Sequence, residues 1–139
     1  MSPAQAWLIV GGVFNLFFSS LAGYGLYWFR LQHVAEPVPR YALISHTSSI
    51  TDGLLLLGLS VAIEHTGFIP AINIGLAIAI LVGSELTNLR NLMNWALHRR
   101  DGFAEVSPTQ QRLRGLTNII NLVVISAMLY GVARTARGL

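Results

Sequence analysis

The residues of this sequence best suited to chemistry are His46 and Asp52, six positions apart in the run His46-Thr-Ser-Ser-Ile-Thr-Asp52-Gly53. At about 100° of helical turn per residue, the two point about 120° apart, so one helix offers an imidazole to one side and a carboxylate to another. One histidine cannot build a zinc site, which takes three or four protein ligands. One histidine can hold a haem, because the porphyrin supplies four of the bonds to iron. The competing reading of a lone helical histidine is a polar group satisfied by a neighbouring helix. A carboxylate beside Gly53 in the middle of an apolar stretch is costly if it only packs, and it points towards function.

A second polar concentration follows, with Ser84, Glu85, Thr87, Asn88, Arg90, Asn91 and Asn94. On a helix, Ser84, Asn88, Asn91 and Trp95 form one stripe, with Glu85 and Arg90 to either side. Ser45, Ser48 and Asp52 share a stripe of their own. Asn15, Thr117, Asn118 and Asn121 add further polar groups. The simplest role for the amides is hydrogen bonding between helices, and for Glu85 a pairing with a nearby arginine. The sequence has no nucleophile elbow, no Walker loop, no dinucleotide fingerprint and no zincin helix.

The elements that carry these residues are apolar and long. Hydrophobic residues make up 53% of the 139 positions and charged residues only 11%, with a mean hydropathy of +0.58. A soluble domain carries about 25% charge, so lipid rather than water is the expected solvent. Four stretches meet the ~20-residue length of a bilayer span, at about 7–29, 41–64, 69–95 and 110–133. The links between them are short, which makes sequential neighbours antiparallel. The expectation is an all-α, membrane-embedded, up-down four-helix bundle forming one domain over 1–139.

Local signals agree. All five prolines fall outside the spans or in first turns, where a missing N–H is harmless. Ser107-Pro108-Thr109-Gln110 reads as a capping box that starts the fourth helix. Tyr24, Tyr27, Trp28, Tyr41 and Trp95 are placed as interfacial aromatics. The first span is too long for a signal-peptide core and lacks basic residues ahead of it, so it is expected to be retained.

All nine basic residues are arginine. Arg30, Arg40, Arg99, Arg100 and Arg112 flank the two long links, against Arg134 and Arg137 at the opposite side. The positive-inside rule then puts the long links in the cytoplasm. The net charge of +3 is dispersed, which argues against a nucleic-acid partner. With no cysteine, thiol catalysis and thiolate metal ligation are excluded.

Taken along most of its length, the chain resembles the styrene oxide isomerases, small four-span membrane proteins that bind haem b. The resemblance rests on Leu21-Ala-Gly-Tyr-Gly-Leu-Tyr-Trp28, on the His46-x5-Asp52-Gly53 core, on Gly67-Phe68, and on the polar third span ending Asn94-Trp95. It implies that His46 is the axial ligand of a ferric haem b lying between the subunits of a homotrimer. It also implies a small hydrophobic epoxide as substrate, opened with the iron as Lewis acid and rearranged by hydride shift to a carbonyl compound. Asp52, Asn88 and Asn91 would line the substrate pocket, and a bacterial inner membrane would house the protein.

Two positions depart from the family. Asp52 stands where the family has an asparagine that orients the epoxide, and no tyrosine occurs around Asn88 to Leu92. A carboxylate there could act as acid or base, or stabilise a developing cation, which fits a different epoxide or a different reaction. Two alternatives stay open. One is a haem protein without enzymatic activity, a sensor or an electron carrier. The other is a haem-free transporter or assembly subunit that uses Asp52 and Glu85 in a polar pathway.

Overall fold

A computed structural model describes residues 1–99 and 107–138 of the chain. Four helices account for nearly all of them: α1 (Pro3–Gln32), α2 (Arg40–Ala62), α3 (Pro70–Ala96) and α4 (Pro108–Ala136). A single 3-10 turn, Ile63–His65, follows α2. Each helix is long and apolar enough to cross a membrane, so the chain is an all-α, multi-pass membrane protein. Arg100, counted in the charge asymmetry, lies outside the described residues.

α1 and α4 begin where proline and a hydrogen-bonding cap coincide. Ser2 Oγ accepts from the Gln5 N–H at 3.2 Å, directly before Pro3. Ser107 and Gln110 form the reciprocal capping box expected from their spacing. Pro70 takes the first turn of α3. Because these caps sit outside the apolar windows, α1 and α4 overrun the expected spans by two to four residues at each end, while α3 is shifted by one residue towards its C-terminal end. α2 behaves differently, since its last expected turn tightens into the 3-10 turn.

Sequential helices run antiparallel, as shown by the residues that meet. Gly12 and Ser19 of α1 meet Gly53 and His46 of α2. Asp52, Ser49 and Ser48 of α2 meet Ser84, Asn88 and Asn91 of α3. Gly83 of α3 meets Asn121 of α4. α4 packs mainly on α3 and on the 3-10 corner, so α1, α2 and α3 form the tight part of the bundle.

The interior is divided along its length. Towards the short link it is apolar, built from Ala4, Leu8, Leu56, Ile63, Ala77, Ile80, Val124 and Met128. Towards the long links it is polar, with Asn15, Ser19, Ser45, Ser49, Ser84, Asn88, Asn91 and Asn94 all buried. Such an interior would be costly in a water-soluble bundle. In lipid the solvent is as apolar as leucine, so helices associate through close packing and interhelical hydrogen bonds instead. Large side chains such as Phe14, Phe17, Leu54, Val82, Leu122 and Leu129 accordingly face outward.

Tyr24, Tyr27 and Trp28 are exposed at the end of α1, as an interfacial aromatic cluster would be. Tyr41 differs from the expectation: it is buried at the start of α2. Gly67 closes the short link with φ +66°, in the left-handed region.

Candidate functional site

The structure sorts the polar residues into two seams. Between α1 and α2, the crossing is set by Gly12 and Gly53, whose lack of side chains lets the backbones approach closely. Two turns further along α1, Ser19 is buried against His46. His46 itself is half-buried.

The hydrogen bonds at this crossing define the state of the imidazole. His46 Nδ1 lies 2.8 Å from the Ser19 carbonyl oxygen and 2.9 Å from Ser19 Oγ. Ser19 Oγ lies 2.9 Å from the His46 carbonyl oxygen. Carbonyl oxygens only accept. The serine hydroxyl therefore donates to the His46 carbonyl, and Nδ1 carries the proton that the Ser19 carbonyl receives. In the neutral ring this leaves Nε2 with its lone pair, and Nε2 takes no hydrogen bond from the described residues.

Gly23, one turn beyond Ser19, makes room for the ring. A Cβ at Gly23 would stand 2.9 Å from His46 Cε1 and 3.1 Å from Nδ1. Sequence reasoning singled out His46 but missed Ser19. The available signal was the stripe Gly12, Asn15, Ser19, Gly23, whose small and polar residues recur every three or four positions on one face of α1.

The second seam joins α2, α3 and α1 at the boundary between the polar and apolar halves. Asn15 is fully buried there. Its Nδ2 donates to Glu85 Oε1 at 2.9 Å and to the Gly11 carbonyl at 3.0 Å. Its Oδ1 accepts from Asn88 Nδ2. Asn88 Oδ1 accepts from Ser49 Oγ at 2.9 Å. Ser84 Oγ donates to Asp52 Oδ2 at 3.2 Å, and Asn91 Nδ2 donates to Ser48 Oγ at 3.1 Å. Asp52 and Glu85 are close enough to interact electrostatically.

The proposed pocket residues Asp52, Asn88 and Asn91 thus share this seam, while His46 lies on the other. Asn88 and Asn91 spend their side chains on contacts between helices. Asp52 is half-buried, and its Oδ1 takes no hydrogen bond from the described residues. Glu85 bonds to Asn15 rather than to the arginine expected for it. Arg90 instead sits near Tyr41 and Arg114. Of the amides read as interhelical links, Asn15 is one. Asn118 is exposed on α4, and Asn121 buries an Oδ1 with no partner among the described residues.

The remaining histidines are elsewhere. His33 stacks on Phe29 at 4.6 Å, and His65 and His98 are exposed in the links. Among the described residues, no three His, Cys, Asp or Glu side chains gather into a site for a bare metal ion. A single imidazole with its proton anchored on Nδ1, a bare Nε2 and a cradle at Gly23 fits the one protein bond that haem iron requires.

No protein-family model, curated protein or solved structure matches this chain.

Proposed function

We propose that this protein is a haem-b-dependent membrane isomerase that rearranges a small hydrophobic epoxide to an aldehyde or ketone, acting as a homotrimer in a bacterial inner membrane. The observation that supports the reading is the state of His46. Its proton is held by Ser19, and the nitrogen that would bind iron is left without a hydrogen bond. A ligating histidine almost always has its other nitrogen fixed in this way.

Bound at His46, haem b supplies a ferric Lewis acid for ring opening, and the rearrangement needs no external electron donor. The protein's own residues do the rest. His46 holds the group, and Ser19 fixes the ring plane and tautomer. Asp52 offers the free Oδ1 of a carboxyl as acid, base or stabiliser of developing positive charge. Asn88 and Asn91 hold α3 in register so that Ser84 can orient that carboxyl. Within one chain His46 and Asp52 occupy different seams, and in the proposed homotrimer a second copy would bring the two to one site. Apolar substrate would enter through the exposed apolar flanks of α1 and α2 from the bilayer.

The test is spectral. The purified protein is expected to show a Soret band that is lost in His46→Ala, and to convert an aryl or alkyl epoxide to a carbonyl product without reductant. A colourless protein that takes up no added haem overturns the proposal.

A second reading draws on the continuous polar half of the interior. The pair Asp52 and Glu85, joined to Asn15 and Ser84, suits a haem-free transporter that passes protons or small polar solutes. Proton-coupled flux in liposomes that disappears in Asp52→Asn would favour it.

A further inference from the structure

Ser19 does more at His46 than satisfy a polar group. Two oxygens of one residue face Nδ1, at 2.8 and 2.9 Å. The hydroxyl, in turn, is held by donating to the His46 backbone carbonyl at 2.9 Å. All three contacts are made between two helices locked together at Gly12 and Gly53, so the acceptors cannot drift from the ring. Gly23 closes the arrangement on the Cε1 edge, where even a methyl group would press against the imidazole.

We infer that Ser19 and Gly23 are the positioning residues of the His46 site: Ser19 strengthens the imidazole as an iron ligand, and Gly23 admits the ring in the rotamer that exposes Nε2. The inference rests on the haem reading above and deepens it. Acceptors on Nδ1–H push electron density towards Nε2 and make the ring a stronger donor. A stronger donor favours the ferric over the ferrous state. Ser19 thereby biases the site towards Lewis-acid chemistry and away from electron carriage, the alternative use of a haem on one histidine.

Three variants of the full-length protein test this. Ser19→Ala removes the Oγ acceptor but keeps the backbone carbonyl. It is expected to bind haem with affinity reduced roughly 10-fold, and with a midpoint potential shifted to more positive values. Ser19→Thr keeps the hydroxyl and is expected to restore both. Gly23→Ala favours helix formation, so its helix content should be retained. It is expected to lose the Soret band by crowding the ring.

A readout independent of haem is the ¹⁵N spectrum of histidine-labelled protein. His46 should appear as the Nδ1–H tautomer in the wild type and change in Gly23→Ala. If the wild type binds haem through His46 while Ser19→Ala leaves affinity and potential unchanged and Gly23→Ala binds normally, this inference fails and the haem reading stands. If the wild type binds no haem, both fail together.

Discussion

Gly12 and Gly53 approach each other reciprocally. A Cβ on either residue would lie 2.9 Å from the carbonyl oxygen of the other. This contact sets how closely α1 and α2 pack, and Ser19 reaches His46 only because the two helices are this close. Replacing Gly12 or Gly53 with alanine forces the backbones apart. Overpacking of this kind costs about 1–3 kcal/mol, so each variant should unfold at lower temperature in detergent. Haem uptake should fall as well, because the Ser19 carbonyl moves away from Nδ1. A Gly53→Ala protein with unchanged stability and unchanged His46 tautomer would show that this crossing does not govern the site.

Asn15 is the joint between three helices. Its amide serves Glu85, Asn88 and the Gly11 carbonyl at once. Asn15→Leu keeps the branched shape but strands a half-buried carboxyl and a buried amide. Leaving such groups unsatisfied costs about 1–3 kcal/mol each. The loss should be partly recovered in the double variant Asn15→Leu/Glu85→Leu, which removes both partners. A double-mutant cycle on thermal or denaturant unfolding measures the coupling. Strict additivity would mean that the Asn15–Glu85 bond contributes nothing.

How much of this was readable beforehand follows from the range of each signal. Helix number, order and the Ser107 start depend on local hydropathy and capping, and both were legible. The polar stripe on α3 was legible as well, since spacing alone puts Ser84, Asn88 and Asn91 on one face. What each stripe meets was not. That depends on how deep one helix sits against the next, which is decided by glycine contacts such as Gly12 with Gly53 and Gly83 with Asn121. Glu85 shows the consequence. An arginine partner was the natural expectation in lipid, but Arg90 projects to another side of α3, near Tyr41 and Arg114, and the amide of Asn15 fills the place. Ser19 escaped notice for the same reason.

The short link depends on one backbone conformation. Gly67 has φ +66°, and a Cβ there would meet Thr135 Oγ1 at 2.6 Å. In the left-handed region an L-residue costs about 1–2 kcal/mol. Gly67→Ala should therefore lower the unfolding temperature through both strain and collision. Adding Thr135→Ala removes the oxygen and should recover only the collision part. Full recovery would show that the φ angle carries no strain.

Asp52 separates the proposed chemistry from the architecture. Its Oδ2 accepts from Ser84, and it lies on the seam opposite to His46. Asp52→Asn can still accept from Ser84 through its amide oxygen, so fold and haem content should match the wild type. What it loses is the ability to gain or release a proton. If the carboxyl serves as acid or base, turnover of the preferred epoxide should drop by about 10²–10⁴-fold. The preference among epoxides should also shift, because the carboxyl's charge no longer acts on the opening ring. Carbonyl product from paired epoxides, measured at equal haem content, reads both effects. Unchanged rate and unchanged preference would remove Asp52 from the reaction and leave it as a hydrogen-bond acceptor that ties α2 to α3.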